Sequence, residues 1–181
     1  MDRNFETHLI DQCRNNDSRA QMKLYDSYCK AMFNTAYNFV KDDAIAQDVM
    51  QEAFIKAFKK IETFTGEASF GAWLKRIVIN QSLDWLKKQK IPTVELQENV
   101  EYLPDDGPWE IESEIKISTI YKCIESLPQK CKNVVKLILL EGYDHQEVSQ
   151  ILEISEVASR SQLSRGKSKL KELLIEGNYE S

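Results

Sequence analysis

Apolar residues recur at three- and four-residue spacing along nearly the whole chain, and no convincing run alternates apolar with polar residues as a half-buried strand would. That one feature confines the chain to an all-α fold. The clearest stripe is Ile45, Ala46, Val49, Met50, Ala53, Phe54, Ala57, Phe58 and Ile61, on a helix expected to be capped by Asp42 or Asp43. Two helices are expected before it, over 5–15 and 18–40. Another follows over 69–88, with Phe70, Trp73, Leu74, Ile77, Val78 and Trp85 inward, and Gly66 breaks the chain ahead of it. The pattern stops at residues 90–108, which hold Pro92, Pro104, Gly107, Pro108 and many acids. Such composition reads as a linker. Helical spacing then resumes at Ile111, Ile115, Tyr121 and Ile124, stops at Leu127 and Pro128, and resumes at Val134. The expected organisation is therefore two small helical domains, 1–90 and 109–181, joined by an acidic flexible linker, 91–108. A chain of 181 residues suffices for two such cores.

The second domain carries the most informative short stretch. Asp144-His145-Gln146-Glu147 starts like a capping box, a cap residue with Glu three positions later. A short helix over 146–152 follows, then a turn at Ile154-Ser155, then a longer basic helix that Ser155 can cap. A short helix, a tight turn and a basic second helix describe a helix-turn-helix. A plain helical hairpin with a solvated charged face has the same outline, and this stretch alone leaves both readings open.

The formal net charge of −5 argues superficially against a nucleic-acid partner, but the distribution argues for one. Residues 70–90 carry Lys75, Arg76, Lys87, Lys88 and Lys90 against the single acid Asp84. Residues 160–171 carry Arg160, Arg165, Lys167, Lys169 and Lys171 and no acid. Between these patches, residues 94–116 hold Glu95, Glu98, Glu101, Asp105, Asp106, Glu110, Glu112 and Glu114 against Lys116. Two basic patches separated by an acidic connector fit two nucleic-acid contacts joined by a segment that avoids DNA.

Other classes find little support. The start has neither the basic flank nor the apolar run of a secretory signal. The richest apolar stretch, 134–140, contains Lys136 and is far too short to span a bilayer. A cytoplasmic protein without membrane insertion is expected. Cys13, Cys29, Cys123 and Cys131 are too widely spaced for a metal-ligand pair, and only His8 and His145 are available to help them. No metal, no cofactor and no catalytic role is expected, since there is no glycine-rich phosphate loop and no nucleophile beside a histidine.

Two blocks resemble the sigma-70 family of bacterial RNA polymerase sigma factors, specifically its extracytoplasmic-function group. DAIAQDVMQEAFIKAFKKIETFTGEASFGAWLKRIVINQSLDWLKKQK, residues 43–90, resembles the family's second conserved region. LPQKCKNVVKLILLEGYDHQEVSQILEISEVASRSQLSRGKSKLKELL, residues 127–174, resembles the fourth. They stand in the family's order, and the third region of larger sigma factors is missing, as it is in this group. The resemblance implies an alternative sigma factor that binds core RNA polymerase, directs it to promoter DNA and opens the duplex. An anti-sigma factor or a DNA-targeting recruiter is compatible with it.

Asp48, Gln51 and Glu52 lie at i, i+3 and i+4, one exposed helical face of acceptor-bearing side chains. The resemblance implies that they dock on the coiled coil of the polymerase's largest subunit. Phe64, Thr65, Gly66, Glu67, Ala68 and Ser69 form a short loop of mainly small residues. A flipped base needs a pocket walled by such backbone, and the family uses the matching loop to capture a nontemplate minus-ten base. From the next helix, Lys75 and Arg76 suit phosphates, and Asn80 offers a donor and an acceptor to a base edge. In the second domain Arg160, Ser161, Ser164 and Arg165, at i, i+1, i+4 and i+5, together with Lys167, match positions that contact the minus-thirty-five element. Arginine suits guanine in the major groove, and serine donates or accepts.

Two positions depart from the commoner family pattern: Glu153 and Val157 stand where glycine is frequent. A left-handed helix cap costs a non-glycine residue on the order of 1 kcal/mol, and Glu153 adds a negative charge near DNA. Weak, salt-dependent minus-thirty-five binding is expected. The alternative reading, a helix-turn-helix transcription regulator that binds DNA without polymerase, accounts for residues 144–172 but leaves 43–90 without a role. An interaction module acting through its acidic face is a third.

Overall fold

A computed structural model describes residues 3–89 and 115–177. Every regular element among them is helical, in two compact units, Met1–Val94 and Glu95–Ser181. The acidic linker expected over 91–108 lies outside the described residues. No described helix is long and apolar enough to cross a membrane.

The first unit contains α1 (Arg3–Arg14), α2 (Ser18–Val40), α3 (Asp43–Lys59), a 3₁₀ turn (Ile61–Thr63) and α4 (Phe70–Gln89). Each start has a local cause. Asp17 accepts from the Arg19 and Ala20 amides at the head of α2, and Asp42, rather than Asp43, caps α3 through the Ile45 amide at 3.0 Å. Helix α2 ends where Lys41 takes a left-handed conformation, φ 56°. The inward stripe of α3 is as read from the sequence: Ala46, Val49, Met50, Ala53, Phe54 and Ala57 are all buried. They meet Leu24, Met32 and Ala36 of α2 and Phe70, Leu74 and Val78 of α4 in one core. Helix α1 adds Leu9, Ile10 and Cys13. Burial, with Asp17 nearby, pushes the Cys13 thiol up to about 11, which keeps it protonated and unreactive. Trp73 and Trp85 pack against this core, half-buried.

Close packing fixes Gly71. A Cβ built there would fall 2.8 Å from Tyr28 Cε1, so any side chain at this position would have to displace the Tyr28 ring. Tyr28 also donates its hydroxyl to Glu6, which joins α1 to α2.

The second unit contains α5 (Ile117–Glu125), α6 (Gln129–Val135), a π-helical turn (Lys136–Leu140), α7 (His145–Leu152) and α8 (Glu156–Gly177). Its core is Ile124, Leu127, Val134, Val135, Leu137, Val148, Leu163, Leu170 and Leu174. Lys136, in the middle of the apolar run, is 2 % exposed and forms an ion pair with Glu125 at 2.9 Å. The buried cation thus has the opposite charge that burial requires. Gly166 lets α8 lie on α6, since a Cβ there would sit 2.6 Å from Val135 Cγ2.

Candidate nucleic-acid and polymerase interface

On α3, Asp48, Gln51 and Glu52 are all exposed, opposite the buried stripe. Glu52 accepts from Gln81 Nε2 of α4 at 2.6 Å. The sequence reading missed what lies beside them. Ile55, one turn further along the same face, is 56 % exposed, and Met22 of α2 is 59 % exposed. With Tyr25, Gln51, Phe54 and Phe58 they line an apolar groove of about 430 Å³ between α2 and α3. An acidic edge next to an exposed apolar groove suits an amphipathic, basic helix. Exposed Ile55 and Met22 were the available signal, since both interrupt otherwise polar outer faces.

The loop at residues 64–69 closes a second pocket, of about 180 Å³. Gly66 holds φ 81° there, the conformation glycine adopts without penalty. Thr65, Gly66, Glu67, Ala68 and Ser69 are exposed. Ser69 Oγ also accepts from the Ala72 amide at 3.2 Å, so the rim of the pocket and the start of α4 are set together. Phe64 differs from its neighbours. Its ring is 8 % exposed and packs on Phe70 at 5.7 Å and Trp73 at 5.4 Å, so it supports the pocket from the core. The opposite wall comes from α1, through Glu6, Thr7, Ile10, Asp11 and Arg14. Nothing local in the sequence pairs Arg14 with residue 64. On α4, Arg76 is exposed, and Lys75 and Asn80 are half-buried.

In the second unit the capping box forms as read. Asp144 Oδ1 accepts from the Glu147 amide at 2.8 Å, and Glu147 Oε2 accepts from the Asp144 amide at 3.0 Å. Glu153 caps α7 at φ 57°, ψ 43°, the left-handed geometry expected of it. Ser155 Oγ accepts from the Ala158 amide and starts α8.

The minus-thirty-five set is not one open face. Arg160 is exposed and Arg165 and Lys167 are half-buried, whereas Ser161 and Ser164 are 4 % and 9 % exposed. On a helix turning about 100° per residue the two serines lie between Arg160 and Arg165, and it is this middle of the arc that the fold covers. Both serines, expected on an open side of the helix, are covered in this chain. The open end of α8 is instead Ser155, Glu156, Val157 and Arg160, with Glu156 pairing Arg160 at 3.0 Å.

Residues 24–91 match the sigma-70 region 2 family, and residues 117–170 match sigma-70 region 4. The ECF RNA polymerase sigma-E factor of Haemophilus influenzae is 30 % identical over 171 residues, 88 % of this chain and 89 % of that one. The chain belongs to the extracytoplasmic-function group of the sigma-70 family. It is an alternative sigma factor, and sigma factors are transcription initiation factors. The RNA polymerase sigma-H factor of Pseudomonas aeruginosa is 28 % identical, over 90 % of each chain. The sigma factor RpoE of Bartonella quintana, solved with the anti-sigma factor NepR, shares the fold with a TM-score of 0.60 at 20 % identity, over 85 % of this chain and 96 % of that one.

Two features of this sigma factor's helix-turn-helix yield expected results. Glu153→Gly relieves a left-handed non-glycine cap and stabilises the chain by about 1 kcal/mol. It also removes a charge near the open end of α8. A melting midpoint that fails to rise in the variant refutes the strain assignment.

His145 Nδ1 lies 2.8 Å from the buried Ser159 Oγ and stitches α7 to α8. Burial, and next the positive charge of Arg160, push its pKa below the ordinary 6.5. Glu156 and Asp144 oppose the shift and Lys167 adds to it. A folded pKa below the unfolded one means that this contribution is present above pH 6.5 and lost as pH falls through the folded value. Thermal melts of the wild type between pH 7 and 5 are expected to show that loss, and His145→Gln to reduce it. Identical pH slopes in the two proteins refute the assignment.

Proposed function

We propose that this sigma factor acts in the cytoplasm, binding core RNA polymerase through α3, taking a minus-ten base into the pocket at residues 64–69, and reading minus-thirty-five duplex with the helix-turn-helix. Residues 1–90 then serve docking and strand opening, and 109–181 serve duplex contact. The observation that carries the reading is the first unit's pair of surfaces. One helical core holds the exposed Asp48, Gln51 and Glu52 beside an apolar groove, and also a single-base-sized pocket ahead of a helix bearing Lys75, Arg76 and Asn80. A regulator that binds duplex alone uses neither surface.

The division of labour is unequal. Arg160 offers a bidentate donor to guanine, but Glu156 competes for it and Glu153 stands nearby in sequence. With Ser161 and Ser164 buried, duplex reading falls to Arg160, Arg165 and Lys167. Binding there is expected to be weak and steeply salt-dependent, and selectivity rests mainly on the minus-ten contact. An anti-sigma factor is a further proposed partner, in keeping with the Bartonella quintana complex.

Gel filtration of the full chain with purified core polymerase, followed by promoter-dependent transcription, tests the proposal. Co-elution with specific transcripts is expected. Free elution with tight duplex binding instead identifies a polymerase-independent regulator, and neither behaviour identifies an interaction module.

A further inference from the structure

The pocket at residues 64–69 has two unlike walls. The loop side is backbone and small side chains. The α1 side is charged: Arg14 Nη1 donates to Asp11 Oδ1 at 2.9 Å, and Nη2 donates to the Phe64 carbonyl at 2.8 Å. The guanidinium therefore ties α1 to the loop and keeps a carboxylate at the pocket wall. Its third donor position, Nε, is buried without a hydrogen-bond partner and forms only a long ion pair with the Glu62 carboxylate at 3.9 Å. Glu6, the other charged group of this wall, is engaged by the Tyr28 hydroxyl. Helix α1 precedes residue 24, where the region 2 match begins, so no family correspondence assigns these residues a role.

The pocket, of about 180 Å³, has room for one planar ring. We infer that Asp11 and Arg14 are specificity-determining residues that select, for this pocket, a base carrying an exocyclic amine beside a ring-nitrogen acceptor. The inference rests on the reading of the loop as a base pocket. A carboxylate accepts from the amine and a guanidinium donates to the adjacent ring nitrogen. On the Watson–Crick edge, by which a flipped base is read, adenine and cytosine present that donor–acceptor order and guanine and thymine do not. On that edge guanine and thymine present a ring N–H beside a carbonyl, which sets a donor against Arg14 and an acceptor against Asp11.

The test uses holoenzyme on a promoter library randomised across the minus-ten nontemplate positions, with recovered open complexes sequenced. Asp11→Asn keeps size and removes charge; Arg14→Lys keeps charge and removes the planar donor set. Both are expected to lower the amine-base preference about tenfold at one position and leave other positions unchanged. A merely structural role for the pair lowers recovery of all sequences alike and overturns the inference. Ala68→Leu, which fills the loop side of the pocket, separates the reader assignment from the pocket assignment. If it shifts preference at that position while the α1 variants do not, α1 is no reader and the loop assignment stands. If none of the three shifts it, both fall. A wild-type preference for guanine or thymine at that position also overturns the selectivity assigned here.

Discussion

Reversing charge at Asp48 and Glu52 together, each to Lys, is expected to abolish holoenzyme assembly, weakening core binding at least about a hundredfold, roughly 3 kcal/mol. Both carboxylates are exposed on the outer face of α3, so the substitutions leave the buried stripe intact. At an interface with a basic partner, each reversal turns an attraction into a repulsion, which costs more than truncation does. Glu52→Lys also breaks the hydrogen bond that Gln81 donates to Glu52, an exposed bond worth about 1 kcal/mol. Asp48→Lys alone spares that bond and separates docking from stability. Co-elution of the folded double variant with core polymerase, at wild-type yield, would falsify the docking assignment.

The second large effect is on stability. Phe70 is fully buried and packs against three rings, Phe64 at 5.7 Å, Trp73 at 5.6 Å and Tyr28 at 5.6 Å. It is the first residue of α4 and lines the base-sized pocket from below. Phe70→Ala opens a cavity at the centre of this cluster and is expected to destabilise the first unit by about 3–5 kcal/mol. That is a large share of the ~5–15 kcal/mol that holds a typical domain together. Urea denaturation followed by far-ultraviolet circular dichroism reads it as a lowered midpoint with little change in slope. Phe70→Leu, which keeps most of the volume, is expected to cost much less. Equal midpoints for the alanine variant and the wild type refute the role given to this cluster. Loss of the pocket's support also predicts weaker promoter opening by whatever fraction of Phe70→Ala remains folded.

The sequence by itself determined the helical class, the division into two units and most helix ends. These are set by local physics: apolar periodicity, capping carboxylates at Asp42 and Asp144, and chain-breaking glycine and proline. The left-handed cap at Glu153 was expected from the family resemblance, in which glycine is frequent at that position, and the structure has it. The exposed α3 triplet was legible because it sits opposite an unbroken apolar stripe. What the tertiary structure decided depends on partners far away in sequence. Ser161 and Ser164 are buried although they lie between Arg160 and Arg165 on α8, which helical spacing alone does not reveal. Phe64 belongs to the core because Phe70 and Trp73 come round to meet it. Arg14 reaches the residue-64 carbonyl across fifty positions of chain. Helical periodicity reports which side of a helix is apolar, and it carries no record of which charged side chain another helix will bring to a loop. That is why the loop was visible in the sequence and the other wall of its pocket was not.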